Sequence, residues 1–351
     1  MKNLIKTVVV TAIGSFSADI VIKTLKRKGI RVVGCDIYPA EWIADSENVD
    51  QFYKVPYARE GKAYVDAILT ICRREGAGAL MVLTDAEVDV VNGFRDEFAR
   101  ENVILCLPSA ETIALCRDKN AFARFLEQRN IGNTIPTMRL DEAEEDGLIY
   151  PVVVKPFNGR SSEGLSIVGS EEELKALKAR SGSENFLVQP FLEGSIVTAD
   201  VVRQADSGET VVICRRELLR TKNGAGTSVR VFRNETLEAE CREVAKALQI
   251  NGCVNFEFIE GADGRYHILE CNPRFSGGVE FSCMAGYDCV TNHLNCFLGE
   301  KIEDSDQITG MYIARKYEEY ITRVCEEGAA EDGGTVPSGA GAKGENGGNH
   351  G

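Results

Sequence analysis

Histidine is nearly absent from this chain: three residues, His267, His293 and His350, in 351. They stand too far apart to build an acid/base case, so histidine-centred catalysis has no support in the sequence. Positive charge is also short. Forty Lys and Arg against 54 Asp and Glu leave a formal net charge of −14, and such a chain lacks the basic surface that nucleic acid or an acidic membrane requires. No hydrophobic run could span a bilayer, and the apolar part of MKNLIKTVVVTAIG is too short for a secretory signal. A cytoplasmic protein is expected. Cysteine is plentiful, at twelve, but no pair has C-x-x-C spacing. Cys106 and Cys253 sit in apolar strand-like runs, and Cys283, Cys289 and Cys296 make only a loose cluster, so the cysteines read as reduced core thiols.

With 44% hydrophobic residues, the chain is long enough for two or three packed domains. Residues 7 to about 108 alternate strand and helix: TVVVTAIG, a helix from about Ala18 to Lys28, RVVGCDIY, a helix around Tyr64 to Glu75, ALMVLT and NVILCLP. This alternation predicts a parallel sheet covered by helices. Gly14 closes the first strand and Asp36 the second, the layout of a nucleotide-binding Rossmann unit. The turn Gly14-Ser15-Phe16-Ser17-Ala18, however, lacks the second and third glycines that let a pyrophosphate approach the backbone. A sheet whose strand ends border a small-molecule site is expected instead of a dinucleotide fold.

Ser109 suits an N-cap for one or two helices over SAETIALCRDKNAFARFLEQRNI. A second unit follows. Tyr150 to Val154 reads as a strand ending in Lys155-Pro156, then a flexible Phe157 to Gly164 and a returning strand over Leu165 to Val168. Glycine and serine at that tip free backbone N–H groups to wrap phosphate oxygens. Then come a helix over Glu171 to Arg180, the strand FLVQPFLEG, strands around Ile196 to Arg203 and Glu209 to Arg216, a loop at Thr221 to Ser228, and a helix near Leu237 to Leu248. This predicts an α+β unit with antiparallel sheets. From about Glu326 almost nothing apolar remains, and a disordered tail is expected. The literal G-x-G-x-x-G at Gly339, Gly341 and Gly344 has no strand before it or helix after it and is compositional.

The richest stretch is NFEFIEGADGRYHILECNPRFSGG. Val254 to Ile259 and Tyr266 to Cys271 read as strands joined at Gly261-Ala262-Asp263-Gly264. A loop of about four residues sets Glu257 opposite Glu270 and Asn255 opposite Asn272 on one face, with Phe256 against Cys271 and Phe258 against Leu269 on the other. His267 falls on the apolar face as a packed histidine. Two glutamates directly opposite repel. A divalent cation would explain them, and hard oxygen ligands suit Mg²⁺ completed by phosphate oxygens.

Over about Thr7 to Val324 these pieces together resemble the ATP-grasp superfamily, nearest to the carbamoyl-phosphate-synthetase-like and pyrrolysine-biosynthesis-like carboxylate:amine ligases. The resemblance implies an α/β, Rossmann-like pre-ATP-grasp domain at 1–108, followed by a two-subdomain α+β ATP-grasp fold. Subdomain A with its helical linker is expected at 109–190, subdomain B at 191–325 and the tail at 326–351. It implies nucleotide phosphates at Lys119 and Lys155, a flap over them at Asn158, Gly159, Ser161, Ser162 and Gly164, and adenine at a hinge of Gln189, Phe191 and Leu192. Magnesium or manganese is implied at Glu257, Glu270 and Asn272, with Arg274 near the transferred phosphate. Arg220 and Lys222 lie where relatives shape the acceptor site. The chain departs from the pattern after Gly194, where Ser195 and Ile196 replace a ribose-binding glutamate and leave Glu193 as the substitute, and at Pro190, which lacks a hinge N–H.

The implied reaction is attack of a small-molecule carboxylate on the γ-phosphate of Mg-ATP, giving an acyl phosphate that an amine converts to an amide, with ADP and phosphate released. A homodimer is implied, and no nucleic acid or membrane partner. The alternatives are a non-catalytic ATP-binding regulator and a carbamoyl-phosphate-type phosphoryl-transfer enzyme; a dehydrogenase would need the missing glycines.

Overall fold

The computed structural model describes residues 5–144, 147–159, 164–180, 182–222, 224–304 and 307–324. The expected tail at 326–351 and the flap residues Ser161 and Ser162 lie outside them.

The first domain runs β1 (Thr7–Val10), α1 (Ala18–Arg27), β2 (Arg31–Asp36), β3 (Gln51–Lys54), α2 (Lys62–Glu75), β4 (Ala79–Met81), α3 (Asp85–Asn92), α4 (Arg95–Arg100) and β5 (Ile104–Leu105). The five strands pair in parallel in the order β3-β2-β1-β4-β5. Sequence reading missed β3, whose QFYK carries no apolar run, and both α3 and α4. The β1 residues Val8, Val9 and Val10 are fully buried, as a parallel strand covered on both faces requires. One face packs on Ile68 of α2, Val88 of α3 and Phe98 of α4. The other packs on Ile22 and Leu25 of α1 and continues without a break into residues of the last subdomain, including Val202, Ile213, Phe281 and Leu294.

Two helices follow: α5 (Ala110–Arg117), capped by Ser109 through Thr112 N at 3.2 Å, and α6 (Lys119–Arg129), capped by Asp118 through Asn120 N and Ala121 N, both at 2.9 Å. Then come the short β6 (Asn133–Thr134) and β7 (Met138–Arg139), the hairpin of β8 (Val152–Pro156) and β9 (Ser166–Val168), α7 (Glu171–Lys178) and β10 (Phe186–Pro190). Four of these strands form a sheet in the order β7-β10-β8-β9. Gly164 in the β8–β9 hairpin has φ +74°, and a Cβ there would lie 2.9 Å from Pro156 Cγ, so the turn needs glycine.

The rest builds a seven-stranded sheet, β16-β13-β12-β11-β14-β15-β6. Its elements are β11 (Gly194–Arg203), β12 (Thr210–Arg220), β13 (Gly226–Phe232), α8 (Glu235–Ala247), β14 (Gly252–Gly261), β15 (Tyr266–Asn272), α9 (Val279–Met284), α10 (Cys289–Leu298) and β16 (Met311–Ala314). Although β6 falls within residues 109–190, it pairs with β15 in this sheet. The expected loop over Thr221 to Ser228 is shorter than its sequence suggested, because β13 starts at Gly226 and Thr221 N already donates to Ala225 O at 2.8 Å.

Alternation along the central strands divides this sheet into two faces. Val197, Ala199, Val212, Cys214, Phe256, Phe258 and Cys271 pack on α5, α6 and α8. The opposite face carries charge. Arg215, Thr198, Glu257 and Glu270 stand at paired positions on four adjacent strands. Arg215 is 1% exposed and bonds Asp200 on β11, Ser282 on α9 and, at 3.1 Å, Ser276, while Ser282 Oγ donates to Asp200 at 2.7 Å. Lower on the same face, His293 of α10 accepts from Cys253 N at 2.8 Å and its other nitrogen lies 3.2 Å from Cys106 O. Burial drops its pKa to about 4, so it is a neutral packing residue that ties the two domains together. Among the described residues eleven cysteines are free thiols and all but Cys283 are buried, consistent with core use. Among the described residues no helix is long and apolar enough to cross a membrane.

Removing Asp200 leaves the Arg215 guanidinium buried without its counter-charge. Asp200→Ala should therefore lower unfolding free energy by about 3–5 kcal/mol, read from chemical denaturation.

Candidate active site

The charged half of the seven-stranded sheet is the floor of a cavity of about 740 Å³, walled by the four-stranded sheet, the hinge after β10 and the strand ends of the first domain. A volume of this size takes a molecule larger than a simple metabolite.

Glu257 and Glu270 stand directly opposite on β14 and β15, and Asn255 opposite Asn272, as the sequence pattern predicts. The register then slips. A bulge after Glu257 sets Phe258 against Ile268, not Leu269. The extra residue turns Leu269 into the cavity beside Glu270. His267 consequently pairs with Ile259, a cavity-lining residue, and lies 3.6 Å from Asp263. It is partly exposed and not on the apolar face.

Asn272 Nδ2 donates to Glu257 Oε1 at 3.3 Å and Glu270 Oε1 at 3.2 Å. Lys119 Nζ sits 3.0 Å from Glu270 Oε2 and donates to Gly159 O at 2.8 Å. Burial alone would raise Glu270, but Lys119 and Lys155 hold it below the ordinary carboxylate range. Glu257 moves the other way: burial and then the charge of Glu270 push it up, against Arg220 and Arg274. One carboxylate of the pair is thus kept charged while its neighbour gains a proton more readily, as expected of like charges sharing a site. Burial draws the Lys155 ammonium down to about 8, with Glu270 opposing the shift.

The oxygen set of Glu257, Glu270 and Asn272 fits a hard divalent cation in donor chemistry and count, with the remaining positions left to water or ligand oxygens. No cluster of three or more His, Cys, Asp or Glu side chains able to hold a metal is present among the described residues, so a cation here would depend on such added oxygens.

Other predicted residues divide. Gly159, Gln189, Phe191, Leu192, Glu193, Arg220 and Arg274 line the cavity. Gln189 is largely buried, with Nε2 donating to Thr137 Oγ1 at 2.7 Å, and Phe191 N already donates to Pro151 O at 3.1 Å, so these two hinge groups are engaged. Gly194 starts β11 so close to β14 that a Cβ would lie 2.2 Å from Glu260 O. Arg220 Nη2 lies 3.5 Å from Glu257 Oε2. Asn158 and Gly164 lie in the β8–β9 hairpin outside the lining, and Lys222 is exposed in the β12–β13 turn, itself outside the lining but between the lining residues Arg220 and Gly224.

Sequence reading expected the first domain's strand ends to border a small-molecule site but named no cavity residue there. Ser15, Phe16, Ser17 and the run Leu83 to Ala86 line the cavity, as do Arg215, Glu217 and Ser276 to Gly278. Asp36, the dinucleotide landmark, accepts from Gly14 N at 2.9 Å and Tyr38 N at 3.1 Å; both carboxylate oxygens serve the backbone.

Comparison with known proteins gives two family matches. Residues 182–319 match the model described as ATP-grasp in the biosynthetic pathway with Ter operon, and residues 8–106 match the PylC-like N-terminal domain. The carbamoyl phosphate synthase large chain of Methanothermobacter thermautotrophicus is 26% identical over 286 residues, covering 74% of this chain and 26% of that protein. That of Clostridium beijerinckii is 24% identical over 302 residues, covering 81% and 27%. The chain thus spans about a quarter of the length of these relatives. Among solved structures, Campylobacter jejuni biotin carboxylase superposes with a TM-score of 0.75 at 19% identity over 88% of this chain and 74% of that one. Staphylococcus aureus N5-carboxyaminoimidazole synthetase, complexed with ADP, gives 0.70 at 15% identity over 89% and 84%. These two likenesses establish the fold.

Because Glu270 holds Lys155 protonated against burial, Glu270→Gln should move the Lys155 pKa below its value of about 8. A ¹³C NMR titration of the reductively methylated protein, assigned with Lys155→Arg, measures the shift; an unchanged or higher value would contradict the coupling.

Proposed function

The chain belongs to the ATP-grasp superfamily, with a PylC-like N-terminal domain, and from that premise we propose that it is an ADP-forming ligase that joins a small-molecule carboxylate to an amine through an acyl phosphate. One observation carries the reading: two opposed, half-buried glutamates share a cavity with Lys119, Lys155 and Arg274. Repulsion between the carboxylates is a standing cost that a packed core would not retain, and a cation bound to phosphate would relieve it.

In this reading the adenine lies in the apolar slot of Val153, Phe191, Leu192, Ile196, Ile259 and Leu269. Lys119 exchanges its present partners, Glu270 and the Gly159 carbonyl, for phosphate oxygens, and Lys155 approaches the same oxygens as a second point charge. Glu257, Glu270 and Asn272 would hold Mg²⁺ or Mn²⁺, which supplies charge neutralisation at the phosphates. Arg274 offsets negative charge on the transferring phosphoryl group. The substrate carboxylate oxygen attacks the γ-phosphorus as the bond to the β-phosphate oxygen breaks. The amine nitrogen then attacks the acyl carbon, gives up a proton and expels phosphate. No side chain forms a covalent bond, so the protein works by position and charge. The reading places this chemistry in the cytoplasm, with a homodimer as the assembly.

The test is phosphate release from Mg-ATP with hydroxylamine present, screening pools of amino acids and other carboxylates. Hydroxamate from the wild type, reduced about a hundredfold or more in Glu270→Gln, supports an acyl phosphate and names the carboxylate. Nucleotide binding without hydroxamate would favour an ATP-binding regulator, and a Glu270→Gln protein as active as wild type would refute the assignment. Phosphorylated product without an amide would point to carbamoyl-phosphate-type transfer.

In the same reading, MgADP affinity should fall as pH rises above about 8, because free Lys155 loses its proton there while the phosphate-bound ammonium must keep it. Calorimetry in buffers of different ionisation enthalpy should show proton uptake on binding near pH 9, absent in Lys155→Met.

A further inference from the structure

Arg274 reaches out of the ATP-grasp fold to the first domain. Its Nη2 donates to Asp85 Oδ2 at 2.7 Å across 189 residues of sequence, and the two side chains are 18% and 10% exposed. The other guanidinium nitrogen, Nη1, donates to Phe275 O at 3.0 Å. The group is therefore gripped from two directions where β15 has just ended and the cavity begins.

Asp85 is the first residue of α3, and a buried network fixes it there. Glu87, 6% exposed, accepts from Thr84 Oγ1 at 2.7 Å, Thr11 Oγ1 at 2.9 Å and Tyr64 OH at 2.9 Å. Those donors come from the β4–α3 turn, the end of β1 and helix α2. A buried carboxylate satisfied by three hydroxyls joins three elements into one rigid corner. On the far side, Arg117 lies 3.8 Å from Asp85 Oδ1 and forms a two-point contact with Asp89 at 2.8 and 3.2 Å. Arg117 Nη2 also lies 3.5 Å from Asn158 O at the base of the β8–β9 hairpin. The same helix thus presents acids to a cavity arginine and to an arginine that touches the flap.

We propose that Asp85 is a positioning residue for Arg274, so that the N-terminal domain completes the phosphoryl-transfer site and does not merely flank it. The inference rests on the ligase reading. An arginine side chain has many rotamers, and its planar fork is useful only when aimed. A rigid acceptor removes that freedom before substrate arrives and keeps the half-buried cation paired, which is preorganisation of the kind that stabilises developing charge. Asp85 makes and breaks no bond in the reaction.

A substrate-independent test uses MgADP with aluminium fluoride, whose anion stands in for the transferring phosphoryl group. Asp85→Asn keeps the shape and loses the charge; it should weaken retention of the fluoroaluminate about tenfold to a hundredfold, and Asp85→Glu should recover part of the loss. If Asp85 acts through Arg274, adding Asp85→Asn to Arg274→Lys should cost little beyond Arg274→Lys alone. MgADP affinity and thermal midpoint are measured on each variant, so that damage to the fold is separated from loss of aim. Equal retention in wild type and Asp85→Asn, or losses that add in the double variant, would overturn the role of Asp85 and leave the ligase reading standing. A wild type that binds MgADP but forms no fluoroaluminate complex would overturn both.

Discussion

Mutual repulsion between Glu257 and Glu270 is the constraint around which this molecule is arranged. The β14–β15 pairing sets the two carboxylates face to face, and everything near them answers that charge. Lys119 touches Glu270, the Asn272 amide spans both acids and Arg220 stands beside Glu257. Lys155, buried enough to be drawn down to about 8, gains its remaining basicity first from Glu270. Cations gathered in this way around an acidic pair are already where phosphate oxygens would need them.

The same sheet face has to be a core as well as a site. Toward one end Val202, Ile213 and Val231 join the hydrophobic cluster with α10 and the first domain, while Arg215, Thr198, Glu257 and Glu270 cross it as a polar row. Arg215 marks the border. Fully buried and bonded to Asp200, Ser276 and Ser282, it secures α9 and the segment after β15 to the sheet. The domain boundary is blurred for the same reason. His293 and the Arg274–Asp85 pair both cross it, which makes the first domain a wall of the cavity.

Much of the hairpin was legible because strand periodicity is a short-range rule: with the turn located, Glu257 opposite Glu270 and Asn255 opposite Asn272 follow from counting. The count failed at Phe258, since a bulge costs one residue and leaves no signature in a sequence without an interior glycine or proline there. From that point Leu269 and His267 faced the cavity side. The parallel sheet was legible from its buried valine runs, whereas β3 and β6, short and polar, exist only through their neighbours. Lys222, an acceptor-site residue by position, stands exposed in the tight Thr221–Ala225 turn, between the cavity-lining Arg220 and Gly224.

By itself the sequence determined what depends on local pattern: strand and helix order, the capped start of α5 at Ser109, the acidic pair with its asparagines, and the lysines that resemble those of ATP-grasp proteins. Tertiary structure alone decided which distant groups meet. Nothing near Asp85 in the chain indicates Arg274, and nothing near Glu87 indicates that Thr11 and Tyr64 would satisfy it. Periodicity reports which face a side chain takes. The partner on that face is set by how separate sheets and helices bury their apolar surfaces together, a property of the whole fold.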